Sequence, residues 1–339
     1  MSTRERIIPI FVPHVGCPNN CVFCNQNKIS GTIKPADAET VTRAVENSRR
    51  IHTDGSKPQL AFYGGSFTAI PIDEQISLLS AANGYIRSGY IDSIRLSTRP
   101  DAIDRDILER LRSFGVKTIE IGAQSLDSEV LLRSGRGHTA EDVFKAAELI
   151  KEYGFRLIIQ LMTGLPGDTP EKDIKTALEV CNIGPYGVRI YPTVIIRDTA
   201  LYELWKSGKY KEHTIEDAVE ICSRIVPLFE EKGIRIIRLG LNPTDELSSG
   251  EAAGGAYHPA LGELVRSRIM YNHIYDLLRG TMPGSIVTVM CPAARLSQMI
   301  GQHRVNIEKL KKEYSLSEIE IKPSEDGRIY IFCEERSGK

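Results

Sequence analysis

The chain has 339 residues, of which 41% are hydrophobic and 26% are charged, a composition typical of a soluble globular protein. Its formal net charge of −1 excludes a global basic field, so any contact with nucleic acid has to come from a local patch. No apolar stretch approaches the length of a membrane span, and the polar first six residues do not form a signal peptide. We therefore expect a cytoplasmic protein that makes no membrane contact, with its cysteines in a reducing compartment.

From residue 7 onward, apolar runs predicted as strands alternate with amphipathic helical patterns. The predicted strands cover residues 7–12, 59–63, 91–97, 117–122, 155–161 and 188–194. The predicted helices between them cover residues 37–50, 72–87, 102–114, 140–153 and 170–182. Strands that are apolar nearly throughout predict an α/β fold with a parallel sheet covered by helices. Six repeats favour a partial (β/α)6 TIM-type barrel over a Rossmann sheet. Periodicity alone does not distinguish these two folds.

Three cysteines, Cys17, Cys21 and Cys24, directly follow the first predicted strand. Thiolates this close together, on a loop that leaves a buried strand, predict iron–sulfur or zinc ligation. Zinc would require a fourth ligand, for which His14 is the nearby residue, and an odd number of cysteines argues against a disulfide framework. Three ligands would instead leave one iron of a 4Fe–4S cluster open. The other four cysteines stand singly in apolar patterns and are expected to be buried structural thiols.

Glycine-rich and polar segments follow the later strands as well. They are Gly64, Gly65 and Ser66 after the second, Ser97 at the end of the third, Gln124 after the fourth and residues 162–167 after the fifth. Two adjacent glycines at a strand end let a ligand approach the backbone closely. In (β/α) barrels the C-terminal ends of the strands carry the active site, so these segments are predicted to form one pocket.

The cysteine spacing, with the aromatic Phe23 before the third cysteine, resembles that of radical S-adenosylmethionine enzymes. The resemblance implies that Cys17, Cys21 and Cys24 bind a 4Fe–4S cluster whose open iron chelates S-adenosylmethionine. It also implies reductive cleavage of that cofactor to a 5′-deoxyadenosyl radical, which abstracts hydrogen from a substrate. Such an enzyme needs an electron donor such as flavodoxin or ferredoxin.

Similarity to coproporphyrinogen-oxidase-like radical SAM proteins implies individual cofactor contacts. Arg136 corresponds to their ligand of the cofactor carboxylate, and Gln124 to a ligand of the cofactor sugar. Gln160 stands where those proteins often carry an acidic ribose ligand. The predicted cofactor-binding residues are Phe23, Gly64, Gly65, Ser66, Ser97, Gln124, Arg136 and Gln160.

A longer resemblance follows the sixth strand. Residues 189–199 and 201–210 are similar to the radical SAM domain of the Elongator catalytic subunit, and the match runs discontinuously over about residues 7–268. It implies a link to modification of the tRNA wobble uridine. That subunit also carries an acetyltransferase domain, which this chain is expected to lack, so acetyl-CoA-dependent carboxymethylation is not implied.

The rest of the first predicted domain, residues 1–280, is a mainly helical extension. Its predicted elements are helices at 199–207, 215–232 and 261–278, a strand at 234–239 and a loop at 244–256. A second domain is predicted for residues 284–335. Its predicted elements are strands at 285–290, 319–321 and 329–332, helices at 293–300 and 305–314, and a hairpin turn at 326–327.

The order of elements in the second domain resembles a KH-type RNA-binding module. The Gly-x-x-Gly loop of such modules corresponds to Gly301, Gln302, His303 and Arg304, with Arg304 replacing the final glycine. His303 and Arg304 are still suited to contact phosphate. The alternative is a small α+β domain for packing or oligomerisation, which the near balance of acidic and basic residues favours.

These features together predict a radical SAM enzyme that acts on RNA, with tRNA as the leading substrate. One alternative is a radical SAM enzyme for a small molecule or a protein, with a structural C-terminal domain. The other is a non-catalytic iron–sulfur or haem-handling protein.

Overall fold

The computed structural model describes residues 6–12, 21–24, 36–51, 57–241 and 250–334. The chain packs as two compact units, one of residues 1–214 and 228–257 and one of residues 215–227 and 258–339. The limits predicted from the sequence, 1–280 and 284–335, stay a prediction beside this division. Across the described ranges, no helix is both long and apolar enough to cross a membrane.

The first unit is built on a parallel sheet. Its strands are β1 (Ile7–Val12), β2 (Gln59–Gly64), β3 (Ser93–Thr98), β4 (Val116–Gln124), β5 (Arg156–Thr163), β6 (Gly187–Pro192), β7 (Val194–Ile196), β8 (Arg235–Leu239) and β9 (Ala252–Gly255). The sheet runs in the order β1-β2-β3-β4-β5-β6-β8, and β7 pairs with β9 in a separate antiparallel ribbon. Strand order that follows the chain without reversal is typical of a barrel and excludes a Rossmann sheet. The predicted partial barrel is confirmed, with β8 as a seventh strand.

Helices follow most of these strands. They are α1 (Ala38–Ile51), α2 (Ile72–Arg87), α3 (Arg105–Ser113), α4 (Ser128–Arg133), α5 (Ala140–Glu152), α6 (Pro170–Ile183), α7 (Ala200–Lys206) and α8 (Ile215–Glu231), the last divided between the two units. Their starts follow from local chemistry: Thr139 forms a capping box with Asp142 at α5. At α6, Thr169 caps a helix that begins with Pro170 and ends at Gly184, whose φ is 66°.

The strands were predicted to be apolar on both faces, but only one face is apolar. Ile94, Ile119, Ile159 and Val188 are fully buried on one face and form the apolar core. The opposite face carries charged residues, described below, within strands that were predicted to be apolar nearly throughout. Period-two alternation therefore gives this sheet one apolar face and one polar face that lines the barrel interior.

Two predicted elements of the first unit are wrong in detail. The run at 188–194 is interrupted at Thr193, whose hydroxyl and backbone N–H both donate to the carbonyl oxygen of Thr163. The predicted loop at 244–256 contains β9 at its end, because residues 252–255 pair with β7. Residues 242–249 lie outside the described residues. The short helix α4 was not predicted, although Asp127 caps it by accepting from two backbone N–H groups.

The second unit combines helices with a three-stranded sheet. Its further elements are α9 (Leu261–Leu277), β10 (Ile286–Cys291), α10 (Leu296–Ile300), α11 (Val305–Glu313), β11 (Glu318–Pro323) and β12 (Tyr330–Glu334). The core contains Ile274 and Leu278 from the α9 region with Val287, Val289 and Leu310. The central strand β10 pairs in parallel with β11 and antiparallel with β12.

The predicted hairpin at residues 326–327 is therefore wrong. Strands β11 and β12 lie on opposite sides of β10 and do not pair with each other. The Asp326 side chain instead accepts from the backbone N–H of Arg328, and Gly327 adopts a φ of 70°. Asp-Gly favours a turn whether or not the strands it joins pair with each other. Which strands pair is decided by tertiary packing.

Candidate cofactor-binding site

A cleft in the first unit collects the C-terminal ends of β2, β3, β4 and β5 with the cysteine loop. It is lined by Cys21, Phe23, Cys24, Gly64, Gly65, Ser66, Ser97, Thr98, Arg99, Glu120, Ile121, Gly122, Gln124, Arg136 and Gln160. All eight residues predicted to bind the cofactor lie in this cleft, together with two of the three predicted cluster ligands. The third, Cys17, lies outside the described residues.

The cysteine loop is tied to the barrel by its backbone. The N–H of Cys24 donates to the carbonyl oxygen of Cys21 at 3.0 Å, a turn that brings both thiols to the same cleft. Between them, Val22 donates to the carbonyl of Ser134 at 3.0 Å and accepts from the N–H of Leu201 at 2.7 Å. Cys21 is buried and Cys24 is partly exposed. These backbone hydrogen bonds help to hold the two thiols at the edge of the cleft.

At Gly64, the ends of β1 and β2 come so close together that no side chain fits between them. Its φ is 106°, and a Cβ atom there would lie 2.6 Å from the carbonyl oxygen of Val12. That same oxygen accepts from the N–H of Gly65 at 2.9 Å, which joins the ends of β1 and β2. Only glycine fits this position without strain, so the residue type is required by the local geometry.

Ser66 is held by hydroxyl and backbone groups of the neighbouring strand end. Its Oγ lies 2.8 Å from Thr98 Oγ1 and accepts from the N–H of Arg99 at 3.1 Å. The side chain therefore fastens the β2 loop to the end of β3. Ser97 is partly exposed in the same cleft.

Gln124 and Gln160 meet across the neighbouring strands β4 and β5. The pairing of these strands shifts between Gly122 and Gln124, and Gln124 adopts a φ of 67°. Gln160 Nε2 donates to Gln124 Oε1 at 3.2 Å. A Cβ at Gly122 would lie 2.9 Å from Gln124 Nε2, so this glycine leaves room for the amide. The β-bulge aims Gln124 into the cleft.

Arg136 projects its guanidinium toward the cysteines. Its Nη1 lies 3.3 Å from Cys21 Sγ, and its Nη2 donates to the carbonyl oxygen of Gly122 at 2.8 Å. Nη2 also lies 3.3 Å from His138 Nδ1, while His138 Nε2 lies 3.1 Å from the carbonyl oxygen of Ala123. Burial and the neighbouring Arg136 charge lower the pKa of His138 to about 4. The imidazole is then neutral at pH 7, donating to Ala123 and accepting from Arg136.

A buried charge cluster, which sequence reasoning missed, reaches the cleft through Glu120. Glu120 pairs with Arg95 at 3.2 Å and with Arg189 at 2.7 Å, and Arg189 Nη2 donates to the hydroxyl of Tyr63 at 3.0 Å. The side chains of Arg95 and Glu120 are 0% and 3% exposed, so neither charge is solvated. Charged residues at interior positions of three largely apolar strands, Arg95, Glu120 and Arg189, were the available signal.

The predicted RNA-binding residues lie in the second unit, between α10 and α11. Gly301, His303 and Arg304 have φ values of 77°, 50° and 64°. Gln302, His303 and Arg304 are exposed. Arg304 thus adopts the left-handed conformation that a glycine favours, and the Gly-to-Arg departure keeps the backbone shape at a cost of about 1–2 kcal/mol.

The residues of the cleft fit a 4Fe–4S cluster with S-adenosylmethionine. The thiol of Cys21 lies beside the guanidinium of Arg136, and the Nε of Arg136 is buried without a hydrogen-bond partner among the described residues. Gly64 is exposed in the cleft and carries no side chain, and the amides of Gln124 and Gln160 line the same space. With Cys17 outside the described ranges, those ranges contain no group of three or more His, Cys, Asp or Glu side chains placed to hold a metal ion.

Comparison with protein families agrees with this geometry. Residues 11–180 match the model of the Radical SAM superfamily, and residues 185–271 match the Radical_SAM C-terminal domain. The first match contains the cysteine loop, the glycine pair, Arg136 and Gln160.

Curated relatives point to one group of proteins. The chain is 30% identical over 241 residues to Elongator complex protein 3 of Homo sapiens, covering 65% of this chain and 44% of that protein. It is 30% identical over 299 residues to tRNA uridine(34) acetyltransferase of Methanocaldococcus jannaschii, covering 76% of this chain and 54% of that protein. The chain spans about half the length of these relatives.

Solved structures show the same fold. The archaeal Methanocaldococcus infernus Elp3 with an N-terminal deletion matches with a TM-score of 0.62 at 23% identity, covering 81% of this chain and 63% of that one. Streptococcus suis SuiB matches with a TM-score of 0.51 at 15% identity, covering 73% of this chain and 52% of that one.

Proposed function

Because the chain belongs to the radical SAM superfamily, whose members use a 4Fe–4S cluster and S-adenosylmethionine, we propose that this enzyme modifies tRNA. The observation that carries the proposal is the convergence of Cys21, Cys24, Gly64, Gln124 and Arg136 in one cleft. When bound, the cofactor pair supplies a 5′-deoxyadenosyl radical after one-electron reduction. The chain supplies binding, orientation and exclusion of water.

The residues of the cleft divide these tasks. Cys21 and Cys24, with Cys17, would hold the cluster. Arg136 would bind the carboxylate of S-adenosylmethionine, because its planar fork suits paired charge-assisted bonds. Gly64 and Gly65 would let the backbone reach the amino group, and Gln124 with Gln160 would bind sugar hydroxyls. An electron donor such as flavodoxin or ferredoxin, and a reducing compartment such as the cytoplasm, belong to the same proposal.

The substrate class is supported by the relatives and by the second unit. One curated relative is named for uridine 34 of tRNA, and the similarity covers 76% of this chain. The acetyl transfer in that name is not part of the proposal, because the shared segment covers 54% of that protein. The exposed loop at Gly301–Arg304, between two helices beside a sheet, supports contact with an RNA backbone.

Replacing Arg136 by Ala is expected to weaken binding of S-adenosylmethionine by about 1.5–3 kcal/mol, the worth of hydrogen bonds to a charged group. Calorimetric titration of the reconstituted protein measures this change. Arg133→Ala is the matched control, because Arg133 lies nearby in an exposed ion pair with Glu129. Equal affinities for Arg136→Ala and wild type would refute the assignment of the carboxylate ligand.

Replacing Arg304 by Glu is expected to weaken tRNA binding at low salt by roughly three- to tenfold, because an exposed cation directed at phosphate becomes a like charge. Filter binding across a salt series measures the effect, and cluster content should not change. Arg328→Glu, the same charge reversal at an exposed turn, serves as control. If both variants bind tRNA as wild type does, the second unit has a role in packing or assembly.

A further inference from the structure

A row of register partners crosses the interior face of the sheet, away from the cysteines. Gly122 on β4 pairs with Gln160 on β5, Gln160 with Arg189 on β6, and Arg189 with Arg238 on β8. Gly122 and Gln160 line the cleft, and β8 is the last strand of the sheet. Neighbouring strands are about 4.8 Å apart, so Arg238 lies about 10 Å from Gln160 along the row. The row leads from the cleft to β8, the last strand of the sheet in the described part of the chain.

Positive charge is in excess along this row. Arg189 pairs with the carboxylate of Glu120, which Arg95 on β3 also contacts. Arg238 adds a further charge on the strand beside Arg189, and like charges at register positions repel each other. None of the described carboxylates forms an ion pair with Arg238. Binding of an anion such as a phosphate would lower the repulsion between Arg189 and Arg238.

The guanidinium of Arg238 is oriented in advance. Its Nε donates to the carbonyl oxygen of Gly240 at 3.1 Å, and its Nη2 donates to that of Leu241 at 3.2 Å. These bonds use two of the five N–H donors of an arginine and hold the plane of the group. The remaining donors have no partner among the described residues.

The strand register places Arg238 on the interior face of the barrel. Arg238 is the partner of Arg189, which is itself the partner of Gln160, so the three residues share one face of the sheet. Tyr191 follows Arg189 by two residues on β6 and lies on the same face. Burial raises the pKa of Tyr191, and the charges of Arg189 and Arg238 act in the opposite direction, in agreement with this placement.

We propose that Arg238, with Arg189 beside it, binds a backbone phosphate of the RNA substrate at β8, the last strand of the half-barrel. A phosphodiester accepts paired hydrogen bonds from a guanidinium, which a preoriented fork provides at low entropic cost. The inference rests on the proposed function, and it adds a substrate contact on the strand edge about 10 Å from a cofactor-cleft residue. Arg189 is already paired with Glu120. Arg238 is therefore the residue to replace in the test.

The test compares tRNA binding by Arg238→Gln and Arg235→Gln across a salt series, with an unmodified tRNA transcript as the probe. Arg235 begins the same strand and packs its guanidinium 4.5 Å from the ring of Tyr186. Loss of one phosphate contact should reduce the slope of log affinity against log salt by about 0.9 and weaken binding roughly tenfold or more at low salt. Arg235→Gln should keep the wild-type slope, and Arg238→Lys should keep it as well because the charge remains.

Other outcomes separate the competing explanations. If Arg238 only fastens the carbonyls of Gly240 and Leu241, Arg238→Gln will lower thermal stability and keep the wild-type slope and affinity, which overturns the proposal. A reduced slope for Arg238→Lys also overturns it. If wild-type protein does not bind tRNA at all, the proposed function fails with it, whereas wild-type binding with an unchanged Arg238→Gln refutes this inference alone.

A measurement on the wild-type protein does not depend on how the variants fold. Modification of Arg238 by phenylglyoxal, read by peptide mass spectrometry, should be suppressed by the tRNA transcript. The same concentration of inorganic phosphate should not suppress it, which distinguishes a site for an RNA backbone from one for the free ion. Equal modification with and without tRNA would contradict the proposal.

Discussion

Replacing Cys21 or Cys24 by Ala is expected to abolish assembly of the 4Fe–4S cluster, and Cys17→Ala is expected to do the same. Anaerobically reconstituted wild-type protein should hold about four irons and four sulfides per chain. A cluster with three protein ligands already has one open iron, and the one carboxylate among the described residues lining the cleft, Glu120, is already paired with Arg95 and Arg189 and so is a poor replacement for a lost thiolate. Iron and sulfide analysis with electron paramagnetic resonance measures the outcome.

Two other cysteines provide matched controls for this prediction. Cys181 is buried in the first unit, and Cys333 is exposed in the second. Neither lines the cleft, so Cys181→Ala and Cys333→Ala should keep the full iron content. Stoichiometric zinc without iron in anaerobically purified wild-type protein would overturn the cluster assignment.

Replacing Glu120 by Ala is expected to lower the free energy of unfolding by about 3–5 kcal/mol, the cost of leaving buried charges without their partner. Arg95 is fully buried, and both Arg95 and Arg189 lose their carboxylate in this variant. Urea denaturation followed by circular dichroism measures the change. Arg95 cannot reach solvent to recover hydration, which is why the effect should exceed that of any surface pair.

The control for this prediction is Glu152→Ala. Glu152 pairs with Arg105, but both side chains are at least half exposed, so water replaces the lost contact and little change is expected. A further check is the double variant Arg95→Met with Glu120→Leu, which should regain part of the loss because fewer charges remain buried without a partner. Equal unfolding of Glu120→Ala and wild type would mean that the cluster is not closed to water.

Much of the fold could be predicted from local patterns. Strands β1 to β5 and helices α2 and α5 lie within a few residues of their predicted bounds, because apolar runs and caps are local signals. Pairing was not predictable in the same way: β9 pairs with β7, about 60 residues earlier in the chain, and the turn at Asp326 joins strands that do not pair. Those outcomes depend on which surfaces meet after the chain has folded.

The interior face of the barrel illustrates the same difference. Arg95, Glu120 and Arg189 lie on three different strands that are largely apolar, and nothing local indicates that they meet. Their separation in sequence is 25 residues between Arg95 and Glu120, and 69 between Glu120 and Arg189. Register across parallel strands brings them together, since partners on neighbouring strands share one face.

Cysteine spacing, glycine pairs and strand–helix alternation are local in the chain, so the superfamily, the order of most strands and helices, and ten of the fifteen residues that line the cleft could be predicted from the sequence. The contacts of His138 with Arg136 and with the carbonyl oxygen of Ala123, which set the tautomer of its imidazole, could be seen only in the tertiary structure. It also decided that Glu120 joins two arginines and that Arg238 stands in line with Gln160. The physical reason is that hydrogen bonds and charge pairs depend on distances of a few ångströms between residues far apart in the chain, and strand register sets those distances.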